Sequence, residues 1–223
     1  MTKHGKLIED QLLQDAYLLR KITAPALPRT LLHRKALVAH LQEAITRGPH
    51  ENGTRTSYKL VLLCAPAGYG KTTLLADFAH TTQIPSCWYF LDHTDIDSTI
   101  FLRNLFASVK HTFPHFGSSL DGFFRNGGTE NISYTENVYQ SAINTLCAAL
   151  TTEISEHFAL YLCNYEEINE SESLNRLVTH LLEILPTHVT LVIESRIMPD
   201  ISLMPLFVHE EMAGLDYNSL RFT

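Results

Sequence analysis

The sequence contains no run approaching the ~20 apolar residues that a membrane span needs. Its opening, MTKHGKLIED, has no apolar core for a secretory signal. The expected location is therefore cytoplasmic, with no membrane partner. Cysteine is scarce: Cys64, Cys87, Cys147 and Cys163 are scattered and form no C-x-x-C pair, which argues against a disulfide framework or a zinc site. Three of them sit in apolar runs, where a buried free thiol is the usual state. The 12 histidines include no H-x-x-x-H pair with a nearby acid, so they suggest no metal site. Basic charge is also short. Seventeen Lys and Arg face 24 Asp and Glu, for a net charge of −7. That balance disfavours a chain whose main task is gripping nucleic acid or an anionic membrane, although it leaves room for a small local basic site.

What is present is the balance of a soluble globular protein, with 45% apolar and 18% charged residues. A length of 223 residues allows one large domain, or one domain with an appendage. The first 20 residues carry Leu7, Ile8, Leu12, Leu13, Leu18 and Leu19 at loose helical spacing. Pro25 and Pro28 then impose an extended linker. A second helix is expected over 33–46, with Leu37, Leu41 and Ile45 on one face. RGPHENGT reads as a loop. Beyond it, apolar strands alternate with helices. SYKLVLLCA, SCWYFLD, HFALYLCN and HVTLVIESR read as strands, and LDYNSLRFT as a candidate fifth. KTTLLADFAHTT, STIFLRNLFASVKHTF, ENVYQSAINTLCAALTT and SESLNRLVTHLLEIL read as helices, the last opened by a Ser cap. The stretch 114–135 reads as a long excursion. Such alternation predicts a three-layer α/β fold around a parallel sheet. The chain divides into an N-terminal helical extension (1–20), a lead-in segment with its helix (21–57) and an α/β domain (58–223).

Between the first strand and its helix stands A-P-A-G-Y-G-K-T, Ala65 to Thr72. The phosphate-binding pattern is G-x-x-x-x-G-K-[ST]; seven of its eight positions comply, with Ala65 in place of the first glycine. Such a loop turns successive backbone N–H groups inward to cradle phosphate oxygens. Gly68 and Gly70 permit the backbone angles this requires, and the helix starting near Lys71 adds its positive dipole end. The Lys71 ammonium can reach the β- and γ-phosphates, and the Thr72 hydroxyl can ligate Mg²⁺. Ala67, Gly68, Tyr69, Gly70, Lys71, Thr72 and Thr73 are thus the candidate contacts to ATP or ADP.

With this loop in place, the chain resembles the MalT-like class of signal-transducing P-loop NTPases, often grouped with large LuxR-type transcriptional regulators. The resemblance covers roughly residues 21 to 223. It runs through KITAPALPRTLLHRKALVAHL, LLCAPAGYGKTTLLADFA, the CWYFLDHTDIDSTIFLRNLFASVKHTFPHFG segment, LYLCNYEEI and LVIESR. It implies a five-stranded parallel P-loop fold entered through an N-terminal helical segment. It also implies that Pro28 and Arg34 pack near the adenine and ribose, and that Arg196 is a sensor arginine approaching the γ-phosphate. Trp88 reads as core, and Asp92, Asp95 and Asp97 as helix caps or metal neighbours. The sequence departs from the class at the end of the third strand. Cys163 and Asn164 stand where two aspartates are expected, with Glu166 and Glu167 as the nearest replacement acids.

The resulting expectation is an ATP/ADP-binding switch domain of a transcriptional regulator, with Mg²⁺ as cofactor and slow or absent hydrolysis. Lys71, Glu166, Glu167 and Arg196 are the candidate catalytic groups of a weak ATPase. The class further implies downstream winged-helix and helical-repeat domains, if the chain is part of a larger protein, and nucleotide-dependent self-association. This chain by itself is not expected to bind DNA. Two alternatives stay open: a stand-alone P-loop phosphotransferase, and a non-hydrolysing interaction module that keeps nucleotide as structural glue. The first would need a lid with arginines, and the 114–135 excursion offers only Arg125.

Overall fold

The computed structural model describes residues 3–46, 57–117 and 136–221. Most of the expected excursion, 118–135, lies outside the described residues.

Five short strands form one parallel sheet: β1 (Leu60–Cys64), β2 (Ser86–Phe90), β3 (Phe158–Cys163), β4 (Val189–Ser195) and β5 (Met212–Leu215), in the order β2-β3-β4-β1-β5. The three central strands are apolar and almost wholly buried, as a parallel sheet covered on both faces demands. Their side chains alternate between two cores. Leu60 and Leu62 of β1 face one, Val61 and Leu63 the other. The first core is closed by α4 (Ser98–Thr112), α5 (Glu136–Glu153) and α6 (Glu172–Ile184). The second is closed by α2 (Lys35–Thr46) and α3 (Lys71–Thr81), through Leu41, Ile45, Leu75 and Phe78. Trp88 lies in this second core, 2% exposed and stacked on Phe90. The fold is thus a three-layer α/β P-loop architecture.

The N-terminal helix α1 (Lys3–Ile22) packs on β2 and α4. Its anchor is polar. Lys21 is 5% exposed and reaches the fully buried Asp95 carboxylate, which also accepts hydrogen bonds from Tyr89 Oη at 2.7 Å and Asn104 Nδ2 at 3.1 Å. Asp92 closes a capping box with Asp95 and accepts from the Tyr17 hydroxyl, while Asp97 caps the first turn of α4. All three acids after β2 are therefore engaged in local structure. They hold turns and the α1 anchor rather than a ligand.

Two local readings are corrected. The fifth strand is Met212–Leu215, not the LDYNSLRFT stretch, of whose described residues only Leu215 is in a strand; Tyr217–Leu220 is a single helical turn. The Asp216 carboxylate accepts from Ser219 N–H at 2.9 Å and so caps that turn, a local bond that competes with strand extension. Ser171 does hold the N-cap position of α6, but its hydroxyl meets Ser173 Oγ at 3.1 Å and bonds no backbone N–H. A further short helix, α7 (Met204–Val208), with Pro205 in its first turn, precedes β5; the turn Tyr217–Leu220 is α8.

Candidate functional site at the end of the central strands

β1 ends at Cys64 and the chain turns at once into the loop. Gly68 (φ 86°) and Gly70 (φ 73°) both occupy the left-handed region, which a side chain strongly disfavours. Gly70 is the N-cap of α3, and its carbonyl accepts from Leu74 N–H at 2.8 Å. The loop backbone is thereby folded over the start of the helix. Ala65, at the position where the pattern has its first glycine, is buried and donates its N–H to Ser195 O at 3.2 Å, continuing the sheet pairing. It needs no special backbone angle, which explains why alanine is accommodated there.

Lys71 is 5% exposed and folds back beneath the loop. Its ammonium donates to Ala65 O at 2.7 Å and Pro66 O at 3.3 Å, and lies 3.3 Å from Glu194 Oε1. Thr72 and Thr73 follow in the first turn, both half-buried, and Ala67 and Gly68 are exposed. Beside the loop opens a cleft of about 240 Å³, lined by Pro28, Leu31, Arg34, Gly68, Thr73 and Asp77 among others. Arg34 donates to Tyr69 O at 3.4 Å and to the carbonyls of Ser219 and Arg221 at the same distance. It thus ties the lead-in segment to the loop and to the chain's last turn. Burial lowers its pKa. His33 Nδ1 sits 2.9 Å from Asp77 Oδ1 at the same cleft.

On the other side of the loop, β3 ends in Cys163 and Asn164. Asn164 adopts φ 60° and ψ 43°, a conformation that Asn tolerates better than most residues. Cys163 is fully buried, and its thiol is pushed well above the ordinary range by burial and by the nearby Glu194 and Glu166 carboxylates. Glu166 is mostly buried and holds Arg196 through both oxygens: Arg196 Nε lies 2.9 Å from Oε1, and Arg196 N–H donates to Oε2 at 3.0 Å. Glu167 is exposed. The loop, the β3 terminus and Arg196 thus converge at the carboxyl ends of the strands, where parallel α/β folds place ligands.

One member of this group escaped the reading of the motifs. Glu194 is 4% exposed, next to the last residue of the fully buried strand β4, and bridges the site. One oxygen faces Lys71, and the other accepts Asn164 N–H at 3.4 Å. Its signal was available in VTLVIES: a carboxylate inside a fully buried strand needs a charged partner.

A phosphate loop of this kind takes its nucleotide with Mg²⁺, and the donor set of this site suits that ion. Mg²⁺ prefers hard oxygen donors, and the Thr72 hydroxyl and Glu194 carboxylate supply them, whereas the Cys163 thiol does not. Among the described residues no group of three or more His, Cys, Asp or Glu could hold a metal by itself. Any such ion would therefore depend on phosphate oxygens and water for most of its coordination. Among the described residues, no helix is long and apolar enough to cross a membrane.

These features define a P-loop nucleotide-binding fold. No family model matches the chain. Its sequence is similar to the HTH-type transcriptional regulator MalT: 28% identical over 171 residues to the protein of Yersinia enterocolitica, 28% over 172 residues to that of Cronobacter sakazakii, and 29% over 169 residues to that of Yersinia pestis. The matches cover 74–75% of this chain but only 17–18% of those regulators. Among solved structures, the Aeropyrum pernix ORC1 protein in complex with DNA aligns over 85% of this chain and 46% of its own, with a TM-score of 0.50 and 15% identity. That likeness concerns the fold.

Proposed function

We propose that this chain is the adenine-nucleotide-binding switch domain of a MalT-like regulatory ATPase, binding Mg²⁺–ATP or ADP and hydrolysing ATP slowly or not at all. The observation that carries the reading is Lys71, buried beneath a loop whose two glycines are left-handed, at the mouth of a cleft lined by Pro28 and Arg34. A lysine held this way by carbonyls is poised to exchange them for phosphate oxygens, a stronger charge-assisted partner. The loop N–H groups and the start of α3 would cradle the phosphates, and the cleft beside Arg34 would take the adenosine. Arg196 would face the γ-phosphate after leaving Glu166, which supports a switch that distinguishes ATP from ADP.

Slow hydrolysis follows from the β3 terminus. A buried, protonated thiol and a neutral amide can neither accept a proton from water nor fix a metal well. Glu166 is occupied by Arg196 and Glu167 points to solvent, so neither is set to replace them. In a longer protein, downstream winged-helix and helical-repeat domains would read the switch, through self-association or domain rearrangement. The Aeropyrum protein binds DNA; here the net charge of −7 supports a chain that leaves DNA contact to other domains.

Titration calorimetry with ATP and ADP tests the binding. Lys71→Ala should lose on the order of 2 kcal/mol or more of affinity, and equal affinity in wild type and variant would sink the reading. Phosphate release should stay near background in the wild type; brisk turnover abolished by Glu166→Gln or Glu167→Gln would make that glutamate the catalytic acid.

A further inference from the structure

We infer that Glu194 is the carboxylate that couples Mg²⁺ to nucleotide binding in this chain, standing in from β4 for the acids absent at the end of β3. The inference rests on the nucleotide reading above and adds a residue role to it. Three observations lead there. Glu194 is almost fully buried, at the end of the strand that lies between the loop-bearing β1 and the β3 terminus. Its Oε1 is 3.3 Å from Lys71 Nζ, beneath the loop. Its Oε2 accepts the Asn164 N–H at 3.4 Å, next to the end of β3.

The electrostatics favour the coupling. Lys71 neutralises Glu194 across their 3.3 Å contact. When a polyphosphate enters and draws the ammonium to itself, Glu194 loses its counter-charge. It is then a buried anion beside another anion, a state that proteins do not tolerate uncompensated. A divalent cation between the phosphates and the carboxylate relieves both charges at once. Mg²⁺ is the fitting ion because it binds through one or two carboxylates together with phosphate oxygens. Glu194 thus has two roles: it holds Lys71 beneath the loop, and it would hold the cation once Lys71 turns to the phosphates. Glu166 cannot take this role while both of its oxygens hold Arg196.

The test is calorimetric titration of ATP into wild type, Glu194→Gln and Glu194→Asp, each in Mg²⁺ and in EDTA, with circular dichroism confirming the fold of each variant. Glutamine is isosteric and keeps an oxygen for the Asn164 N–H. In the wild type, Mg²⁺ should raise ATP affinity by about tenfold or more. In Glu194→Gln the two conditions should converge to within about threefold. The EDTA affinity of that variant should exceed the wild-type value, because the lysine is no longer stored and the repulsion is gone. Glu194→Asp should keep part of the Mg²⁺ effect. An undiminished Mg²⁺ effect in Glu194→Gln would overturn the assignment. So would wild-type binding that ignores Mg²⁺ and takes up a proton instead, measured by repeating the titration in buffers of different ionisation enthalpy. If the wild type binds ATP in neither condition, the nucleotide reading itself falls and takes the inference with it; binding without the Mg²⁺ pattern removes the inference alone.

Discussion

Arg196 shows how a single ion pair would set the sensitivity of the proposed switch. Its guanidinium is tied to Glu166, although the arginine side chain is 56% exposed. A γ-phosphate must compete with that carboxylate, so the net gain from ATP over ADP is a difference between two charge-assisted contacts. Arg196→Ala should weaken ATP binding by about tenfold while changing ADP binding by less than about twofold. Glu166→Gln should do the opposite, raising the preference for ATP by releasing the guanidinium. Both ratios are read from paired ATP and ADP titrations. An equal loss for both nucleotides in Arg196→Ala would instead mark the arginine as structural. Gly68, Gly70 and Lys71 could be singled out from the loop pattern and Arg196 from the family resemblance, and the structure puts them near the carboxyl ends of β1 and β4. Glu194 could not, because its meaning depends on β4 lying next to β1 and β3, which no local pattern states.

At the scale of elements, the C-terminal end of α1 is held by a buried charge as well as by Ile22. Leu12, Leu13 and Leu19 on this helix are half or more exposed, while Lys21 and Asp95 are buried together. Removing one member of a buried pair strands the other, so Lys21→Ala should cost about 3 kcal/mol of unfolding free energy, measured by urea titration. Acid should weaken the same region. Burial pushes the Asp92 carboxyl up, but hydrogen bonds from Thr94 and Tyr17 and the contact with Lys21 outweigh it and hold the group well below its ordinary value of 3.8. A group depressed in the folded state contributes stability that is fully present above the ordinary value and is lost as pH falls through the folded one. Wild-type stability should therefore drop on acidification below about pH 4, and Asp92→Asn should flatten part of that drop. The six longer helices and the four longer strands could be read from the sequence pattern. β5 could not, because Met-Ala-Gly-Leu has neither β-branched residues nor alternation, and its strand state comes from pairing with β1. The three aspartates after β2 were ambiguous for a related reason. Their spacing suits a cap or a metal equally, and only α1 folding back with Lys21 decides it.

For the whole molecule, the decisive quantity is how tightly ligand binding is linked to the fold. The loop joins β1 to α3, Arg34 ties it to the lead-in segment and to the last turn of the chain, and Lys71 ties it to β4 through Glu194. A nucleotide seated there would bridge elements from both ends of the sequence, so it should stabilise global unfolding and not just the loop. Ligand at about a hundred times its Kd adds about 2.7 kcal/mol. For a chain of this size each kcal/mol moves Tm by about 2–4 °C, which gives an expected rise of about 5–10 °C in scanning calorimetry with saturating Mg²⁺–ATP. In Lys71→Ala the rise should largely vanish at the same concentration. The control built into the fold is a second cleft of about 320 Å³ between α1 and α4, lined by Tyr17, Leu18, Arg103 and Asn104 among others, which shares no residue with the loop. A ligand settling there would raise Tm equally in wild type and Lys71→Ala, and would lose its effect in Arg103→Ala. An unchanged rise in Lys71→Ala would therefore move the nucleotide away from the phosphate loop. A rise lost with Lys71 and kept with Arg103→Ala would locate it there.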